Sequence, residues 1–359
     1  VRLVQLRLGN LRSFESLDLD LDPGWNVFVG PNGAGKTTIL EAAYLLSHAR
    51  SFRSGASAAL TRRGADGFTV FGRVATAAGG SNNAGLARVA GALDARFDGE
   101  SVPVAELLRH VAVSCFEPGS HEILSGASEV RRRFLDWGVF HVEHDFIRVW
   151  RAYQRALKQR NALLRGEGSV GALDSWDRAL AIPGTELSRL RCEYAQRLSV
   201  AIMDSAASLL SELGTPRFAL SDGWTSEDDA LAELGGARAD DLRRRFTTRG
   251  PHRADWSLSF ELAPRREHLS RGQEKLCALA CVLGQATVFA NVRGEWPIVC
   301  IDDLASELDQ PHQEKLLRVL ATVDAQTLIS GTEVPQALRD VGASPRMFHV
   351  EPGKVRPLI

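Results

Sequence analysis

The chain has almost no charge excess. Its 43 Lys/Arg and 44 Asp/Glu leave a formal net charge of −1, which excludes a generally basic protein but leaves room for local clusters of either sign. Long hydrophobic runs are absent: no stretch approaches the roughly 20 residues needed to cross a bilayer, so no membrane span is expected. Cysteine is sparse. Cys115, Cys192, Cys277, Cys281 and Cys300 are five in number, without a C-x-x-C pair or companion histidines at metal-ligand spacing, and read as reduced core residues rather than a disulfide framework or a metal site. Internal repeats, low-complexity tails and sustained heptads are missing, as are zinc-finger, helix-turn-helix and aromatic-platform patterns. The first residues, Val1 to Leu8, alternate like a strand and lack a secretory signal pattern, so a cytoplasmic location is expected.

What is present begins at Trp25. An apolar strand runs into Gly30-Pro31-Asn32-Gly33-Ala34-Gly35-Lys36-Thr37-Thr38 and then into an apolar-periodic helix, the order of a phosphate-binding P-loop. Glycines at 30, 33 and 35 let backbone N–H groups approach a triphosphate, and the helix directs its positive dipole end at the same anion. Lys36 is expected to reach the β/γ-phosphates and Thr37 to ligate Mg²⁺, giving ATP and Mg²⁺ as cofactors.

Downstream, Phe68 to Ala75 and Leu86 to Phe97 read as strands joined by a turn over 79–85, so an antiparallel β layer follows the P-loop. From Val130 to about Gly214 the texture is helical, with Phe146, Val149, Trp150, Tyr153 and Leu157 on one face and Arg148, Arg151, Arg155 and Lys158 on another. Short β segments recur near 217–220 and 256–260, before a long apolar helix over about 270–291. The run from Pro297 to Asp303 ends in two acids, as a buried parallel strand delivering carboxylates at its C-terminal edge would. Further strands are expected at 326–330 and 347–350. The expected fold class is α/β: a P-loop ATPase head with an antiparallel β layer and a mainly helical second lobe. The expected boundaries are 1–128 plus 296–359 for the ATP-binding lobe and 129–295 for the second lobe, which would carry the long apolar helix.

Leu269-Ser270-Arg271-Gly272-Gln273 opens that helix shortly before the acidic strand. By itself the pattern is a helix cap; in this order it resembles the signature motif of ABC-type ATPases. That resemblance implies that Ser270, Gly272 and Gln273 act in trans on a nucleotide held by a second copy, and hence a homodimer. It also makes Ser306 and Asp309 D-loop residues, Asp302 a Mg²⁺ residue and Asp303 the residue that orients water, one methylene shorter than the glutamate often found there. The usual switch histidine is replaced by Leu328-Ile329-Ser330-Gly331-Thr332, where Thr332 is the expected sensor. A Q-loop glutamine is missing from Cys115 to Glu122, where Glu117 is the expected substitute.

Far more chain separates Lys36 from Ser270 than in transporter subunits, yet too little, and too irregular, for the coiled coil of an SMC head. With Arg50-Ser51-Phe52-Arg53, Arg132-Arg133-Phe134-Leu135-Asp136, Lys158-Gln159-Arg160-Asn161, Gly250-Pro251-His252-Arg253-Ala254-Asp255 and Ile301-Asp302-Asp303-Leu304-Ala305-Ser306-Glu307-Leu308-Asp309, the chain resembles the RecF family along nearly its whole length. The resemblance implies a DNA-dependent ATPase that binds single-strand/double-strand junctions and gapped duplex, dimerises with ATP, and works with RecR and RecO to load RecA in repair; Asp303 in place of a glutamate and the absent switch histidine make the expected hydrolysis weak. The residues themselves support DNA binding more weakly: between Glu129 and Arg165 nine Lys/Arg face four Asp/Glu, making Arg132, Arg133, Arg148, Arg151, Arg155 and Lys158 phosphate candidates. An ABC ATPase subunit coupled to another partner, and a non-hydrolysing nucleotide-dependent scaffold, stand as the alternatives.

Overall fold

A computed structural model describes residues 1–53, 60–75, 79–166, 170–225 and 229–358. The first stretch holds β1 (Arg2–Leu11), β2 (Phe14–Asp20), β3 (Trp25–Val29), α1 (Lys36–His48), β4 (Gly67–Ala75), β5 (Ser81–Val89), β6 (Ala92–Phe97), β7 (Glu100–Val102), α2 (Val104–His110) and β8 (Val113–Phe116). Next come α3 (Glu122–Ser125), α4 (Ser128–Val142), α5 (Phe146–Leu164), α6 (Leu173–Leu209), β9 (Pro216–Ser221), α7 (Ala230–Arg244) and β10 (Asp255–Phe260). The last stretch holds α8 (Arg271–Arg293), β11 (Ile298–Ile301), α9 (Leu304–Glu307), α10 (Gln310–Ala321), β12 (Thr327–Gly331), α11 (Ala337–Asp340), β13 (Arg346–Glu351) and β14 (Lys354–Leu358).

These elements form two compact units, Val1–His121 with Ser270–Ile359, and Glu122–Leu269. Both boundaries differ from those expected. The helical unit starts earlier, at Glu122, and the long apolar helix α8 belongs to the first unit, because Leu276 to Leu283 are buried on all sides and α8 packs on β8.

The first unit has two six-stranded sheets. One is antiparallel, in the order β2-β1-β4-β5-β6-β7; in the other, β13, β3, β12, β11 and β8 run parallel and β14 pairs antiparallel at the edge. Helix α1 is buried on most of its faces, its polar Lys36, Thr38, Glu41 and Ser47 included. Its Ile39, Leu40, Ala42, Ala43, Leu45 and Leu46 share one core with Leu3 and Leu6 of β1, Val70 of β4, Phe28 of β3 and Phe348 of β13. The β3 and β11 strands end together on one edge of the parallel sheet, the edge where ligands bind in open α/β folds.

Two local readings change. The stretch over 79–85 is mostly strand, since β5 starts at Ser81 opposite Ala75 and turns Ala84 and Leu86 inward. The run 86–97 is not continuous: Ala90 and Gly91 both take positive φ and close a tight hairpin between β5 and β6. The absence of a membrane-length apolar segment also needs correction, because α8 is long and apolar enough by composition to cross a bilayer. Most of its apolar window is buried inside the unit, as the core helix of a globular fold requires.

In the second unit α4, α5, α6 and α7 accompany a two-stranded antiparallel sheet of β9 and β10. Phe146, Val149, Tyr153 and Leu157 of α5 are buried as the periodicity requires, while Trp150 is only half-buried.

Candidate nucleotide site and basic helix face

The loop after β3 is built for close backbone approach. A Cβ on Gly30 would lie 2.1 Å from the Val350 carbonyl oxygen, and one on Gly35 would meet the Phe14 ring at 2.8 Å in a backbone with φ 110°. Gly33 takes φ 80° with open space around it. Pro31, Asn32 and Gly33 are exposed, whereas Ala34 and Thr38 are buried beneath the loop. Gly35 caps α1; among the described residues no side chain caps the first N–H groups and the first turn holds no acid, and although Thr38 N–H donates to the Gly35 carbonyl at 3.0 Å, the helix end presents positive potential to an anion. Lys36 Nζ donates to the carbonyls of Gly30 at 2.7 Å and Pro31 at 3.0 Å. Burial lowers its pKa, and the charges of Asp303 and Asp302 oppose that shift.

The acidic pair sits beside this loop. Asp302 is buried, and its Oδ1 accepts from Thr37 Oγ1 at 3.0 Å and from Ser330 Oγ at 2.5 Å. Burial raises its pKa, while the Ser330 and Thr37 hydrogen bonds pull the other way. Asp303 caps α9 in the left-handed conformation, φ 54° and ψ 49°, and its amide donates to Ser330 Oγ at 3.0 Å. Its Oδ1 is buried without a hydrogen-bond partner among the described residues.

These features fit a nucleotide with a divalent cation: two glycines whose Cα atoms lie against other groups, a hydroxyl already bonded to a buried carboxylate, and a second carboxylate oxygen with spare lone pairs. Two features escaped sequence reading. Ser330 bonds both acids, and Thr332, the expected sensor, is exposed beyond the end of β12. The only sequence signal was a hydroxyl interrupting the apolar run of β12. Glu41 is fully buried on α1 and accepts from Arg12 Nε at 2.8 Å and Nη2 at 2.7 Å and from Ser51 Oγ, which ties the β1–β2 turn and the segment after α1 to the P-loop helix.

Within one chain the signature residues do what a cap does. Ser270 and Gln273 form a reciprocal capping box, Gln273 N donating to Ser270 Oγ at 3.2 Å and Ser270 N to Gln273 Oε1 at 2.9 Å. Ser270 and Gly272 are exposed at this helix end. Ser306 is exposed, and Asp309 caps α10 through the His312 amide at 3.2 Å. The Glu307 between them pairs with Lys275 of α8 at 3.0 Å. The Glu117 carboxylate closes its own turn on the Gly119 amide at 2.6 Å.

The basic candidates separate into two groups. Arg148, Arg151, Arg155 and Lys158 are exposed along one face of α5; Arg148 pairs with Asp145 at 3.2 Å. Arg133 is exposed beside Glu129. Arg132 instead donates to Ser128 Oγ and the Ala254 carbonyl, both at 2.8 Å, and burial lowers its pKa. Arg131 forks onto Asp255 at 2.6 and 3.0 Å, and Arg160 is completely buried. Three of the nine cations counted from sequence therefore hold the fold, and the exposed excess is smaller than the count implied.

A family model for the RecF/RecN/SMC N-terminal domain matches residues 2–353. The DNA replication and repair protein RecF of Xanthomonas euvesicatoria is 44% identical over 99% of this chain and 98% of its own length, and that of Stenotrophomonas maltophilia is 45% identical over 99% of each. The chain belongs to the RecF family. Its fold also matches a solved structure of the recombination mediator protein RecF with ATP at a TM-score of 0.89, 24% identity and coverage of 100% and 98%. An SMC head bound to the C-terminal winged-helix domain of ScpA matches at a TM-score of 0.62 and 13% identity, covering 100% and 98%. The ABC-type head with an antiparallel layer and a helical lobe is thus the fold of this chain.

Several residues of the remaining RecF-like motifs are bonded inside the second unit. Arg160 Nε donates to Asp177 at 2.6 Å, and its Nη1 donates to Asp241 at 2.6 Å and Thr247 Oγ1 at 2.9 Å. Asn161 Oδ1 accepts from the Thr247 amide and hydroxyl, each at 2.8 Å. His252 lies 2.6 Å from Tyr153 Oη and 2.9 Å from the Thr247 carbonyl, with its pKa lowered to about 4 by burial. Arg191 bonds Asp136 at 2.7 and 2.9 Å and the Pro251 carbonyl at 2.6 Å. In this RecF-family chain, Arg160, Asn161, Asp136 and His252 of these motifs thus belong to buried or part-buried hydrogen-bond networks.

Proposed function

We propose that this RecF-family protein is a cytoplasmic ATP-dependent recombination mediator. It dimerises on ATP at single-strand/double-strand DNA junctions, helps RecR and RecO load RecA in gap repair, and leaves DNA after slow hydrolysis. The observation that carries the reading is a single chain holding a P-loop joined to two acids through Thr37 and Ser330, together with an exposed Ser270/Gly272 helix end suited to a second copy's nucleotide.

The residues divide the work. Lys36 exchanges its loop carbonyls for β/γ-phosphate oxygens, and the N–H groups at the start of α1 hold the same charge. Thr37 and, through water, Asp302 would hold Mg²⁺, which neutralises charge on the phosphates. Asp303 orients the attacking water and takes its proton. Ser270, Gly272 and Gln273 complete the site from the partner copy, with Ser306 and Asp309 at the same interface, and the exposed α5 cations contact DNA phosphates without reading bases.

Sedimentation with ATP and gapped duplex tests the reading. Wild type is expected to dimerise, Lys36→Met to lose nucleotide-driven dimers, and Ser270→Arg to bind ATP yet remain monomeric. Normal dimers of Ser270→Arg would reduce its motif to a cap.

A further inference from the structure

The switch position of this chain has no histidine, yet β12 delivers a side chain to both acids. In the parallel register Ile301 of β11 lies opposite Ile329 of β12, so the next residues, Asp302 and Ser330, fall side by side. Ser330 is 1% exposed. Its one hydroxyl is used twice: it donates to Asp302 Oδ1 at 2.5 Å and accepts the Asp303 amide at 3.0 Å. Asp303 is a non-glycine residue at φ 54°, a conformation that persists only where surrounding bonds hold it. Its carboxylate Oδ1 is buried and has no hydrogen-bond partner among the described residues.

We propose that Ser330 is a positioning residue that couples the two acids, transmitting the placement of the Asp302 side chain to the backbone of Asp303. The inference rests on the ATPase reading above and deepens it. Asp302 bonds Thr37 and Ser330 through the same Oδ1, so a shift of that carboxylate toward a bound cation moves the hydroxyl on which the Asp303 amide rests. The coupling needs an oxygen at position 330, in this strand, and nothing from Thr332.

The test compares Ser330→Ala and Ser330→Thr with wild type in steady-state hydrolysis, in calorimetric binding of ATPγS with Mg²⁺, and in thermal unfolding. Ser330→Ala is expected to lower kcat roughly 10- to 100-fold, the cost of a misplaced group, while KM and the ATPγS affinity stay within about threefold. Threonine, which keeps the hydroxyl and suits a strand, should restore most of kcat. In an Asp303→Asn background Ser330→Ala should cost little more, since both changes disable one step. An unchanged kcat in Ser330→Ala, full additivity with Asp303→Asn, or parallel loss of ATPγS binding and kcat would overturn the assignment. Wild type without turnover removes the ATPase reading and this inference together, whereas wild-type turnover with a normal Ser330→Ala removes the inference alone.

Discussion

Replacing Arg160 by methionine tests whether the second unit is held by a buried charge hub. Arg160, Asp177 and Asp241 are 0%, 1% and 0% exposed in their side chains. Removing one member of such a set strands an uncompensated charge and costs about 3–5 kcal/mol. Asp177 keeps Arg238, at 2.5 Å, and Asp241 keeps the Thr248 amide and hydroxyl at 2.9 and 2.6 Å. The loss is therefore expected at the lower end, about 3 kcal/mol, or about 6–12 °C in the transition of this unit at 2–4 °C per kcal/mol. Urea and calorimetric unfolding measure it. The double variant Arg160→Met/Asp241→Asn removes the stranded charge and should regain about 1 kcal/mol or more. ATP binding to the first unit should be unchanged. A loss below about 1 kcal/mol, or strict additivity in the double variant, would refute the claim that the network is energetically one body.

Gly30→Ala should abolish nucleotide binding or destabilise the first unit by about 1–3 kcal/mol, since its Cβ would press on the Val350 carbonyl at 2.1 Å; equilibrium dialysis with ATP and thermal melts read both. Replacing Arg151, Arg155 and Lys158 by glutamine should weaken duplex binding for every sequence and lower the slope of log K against log salt by about 2–3, whereas Arg132→Ala should appear mainly as lost stability; an unchanged salt slope removes the α5 face as the DNA contact. The Asp303→Asn variant should bind ATP and Mg²⁺ but leave gapped DNA more slowly after an ATP chase, and dissociation at the wild-type rate with hydrolysis lost would separate release from this carboxylate. His252 is held neutral in the fold with its pKa near 4, so below its usual 6.5 the unfolded chain binds a proton that the folded chain does not. Stability should thus fall by up to about 3 kcal/mol as pH drops from 6.5 to 4, and His252→Gln should flatten that slope in melts at pH 5 and 8.

The candidate nucleotide site was legible because its parts are short and local. A strand, three glycines, a lysine and a helix within a few residues of one another require no long-range information, and two acids closing an apolar run identify a buried strand edge. The stripe on α5 was legible for the same reason, since helical periodicity alone sorts Arg148, Arg151, Arg155 and Lys158 from the buried face. Strand detail in the β4–β6 region was not, because Gly and Asn in 79–85 carry turn chemistry while the pairing with β4 decides strand.

The sequence by itself determined the glycine loop, the strand ending in two acids and the helix cap at Ser270, which are local patterns, and its match along nearly the whole chain determined membership of the RecF family. Tertiary structure alone decided which polar groups meet across β11 and β12, so that Ser330 bonds both acids. It also decided which arginines are load on the surface and which are buried, because Arg131, Arg132 and Arg160 look like their exposed neighbours until Asp255, Ala254 and the Asp177/Asp241 pair are brought to them from distant segments. The helix α8 makes the same point, since its composition suits a membrane or a core equally and only the packing of the first unit around Leu276 to Leu283 assigns it to a core. Charge and hydrophobicity are properties of a residue, but burial and pairing are properties of the neighbours that folding supplies.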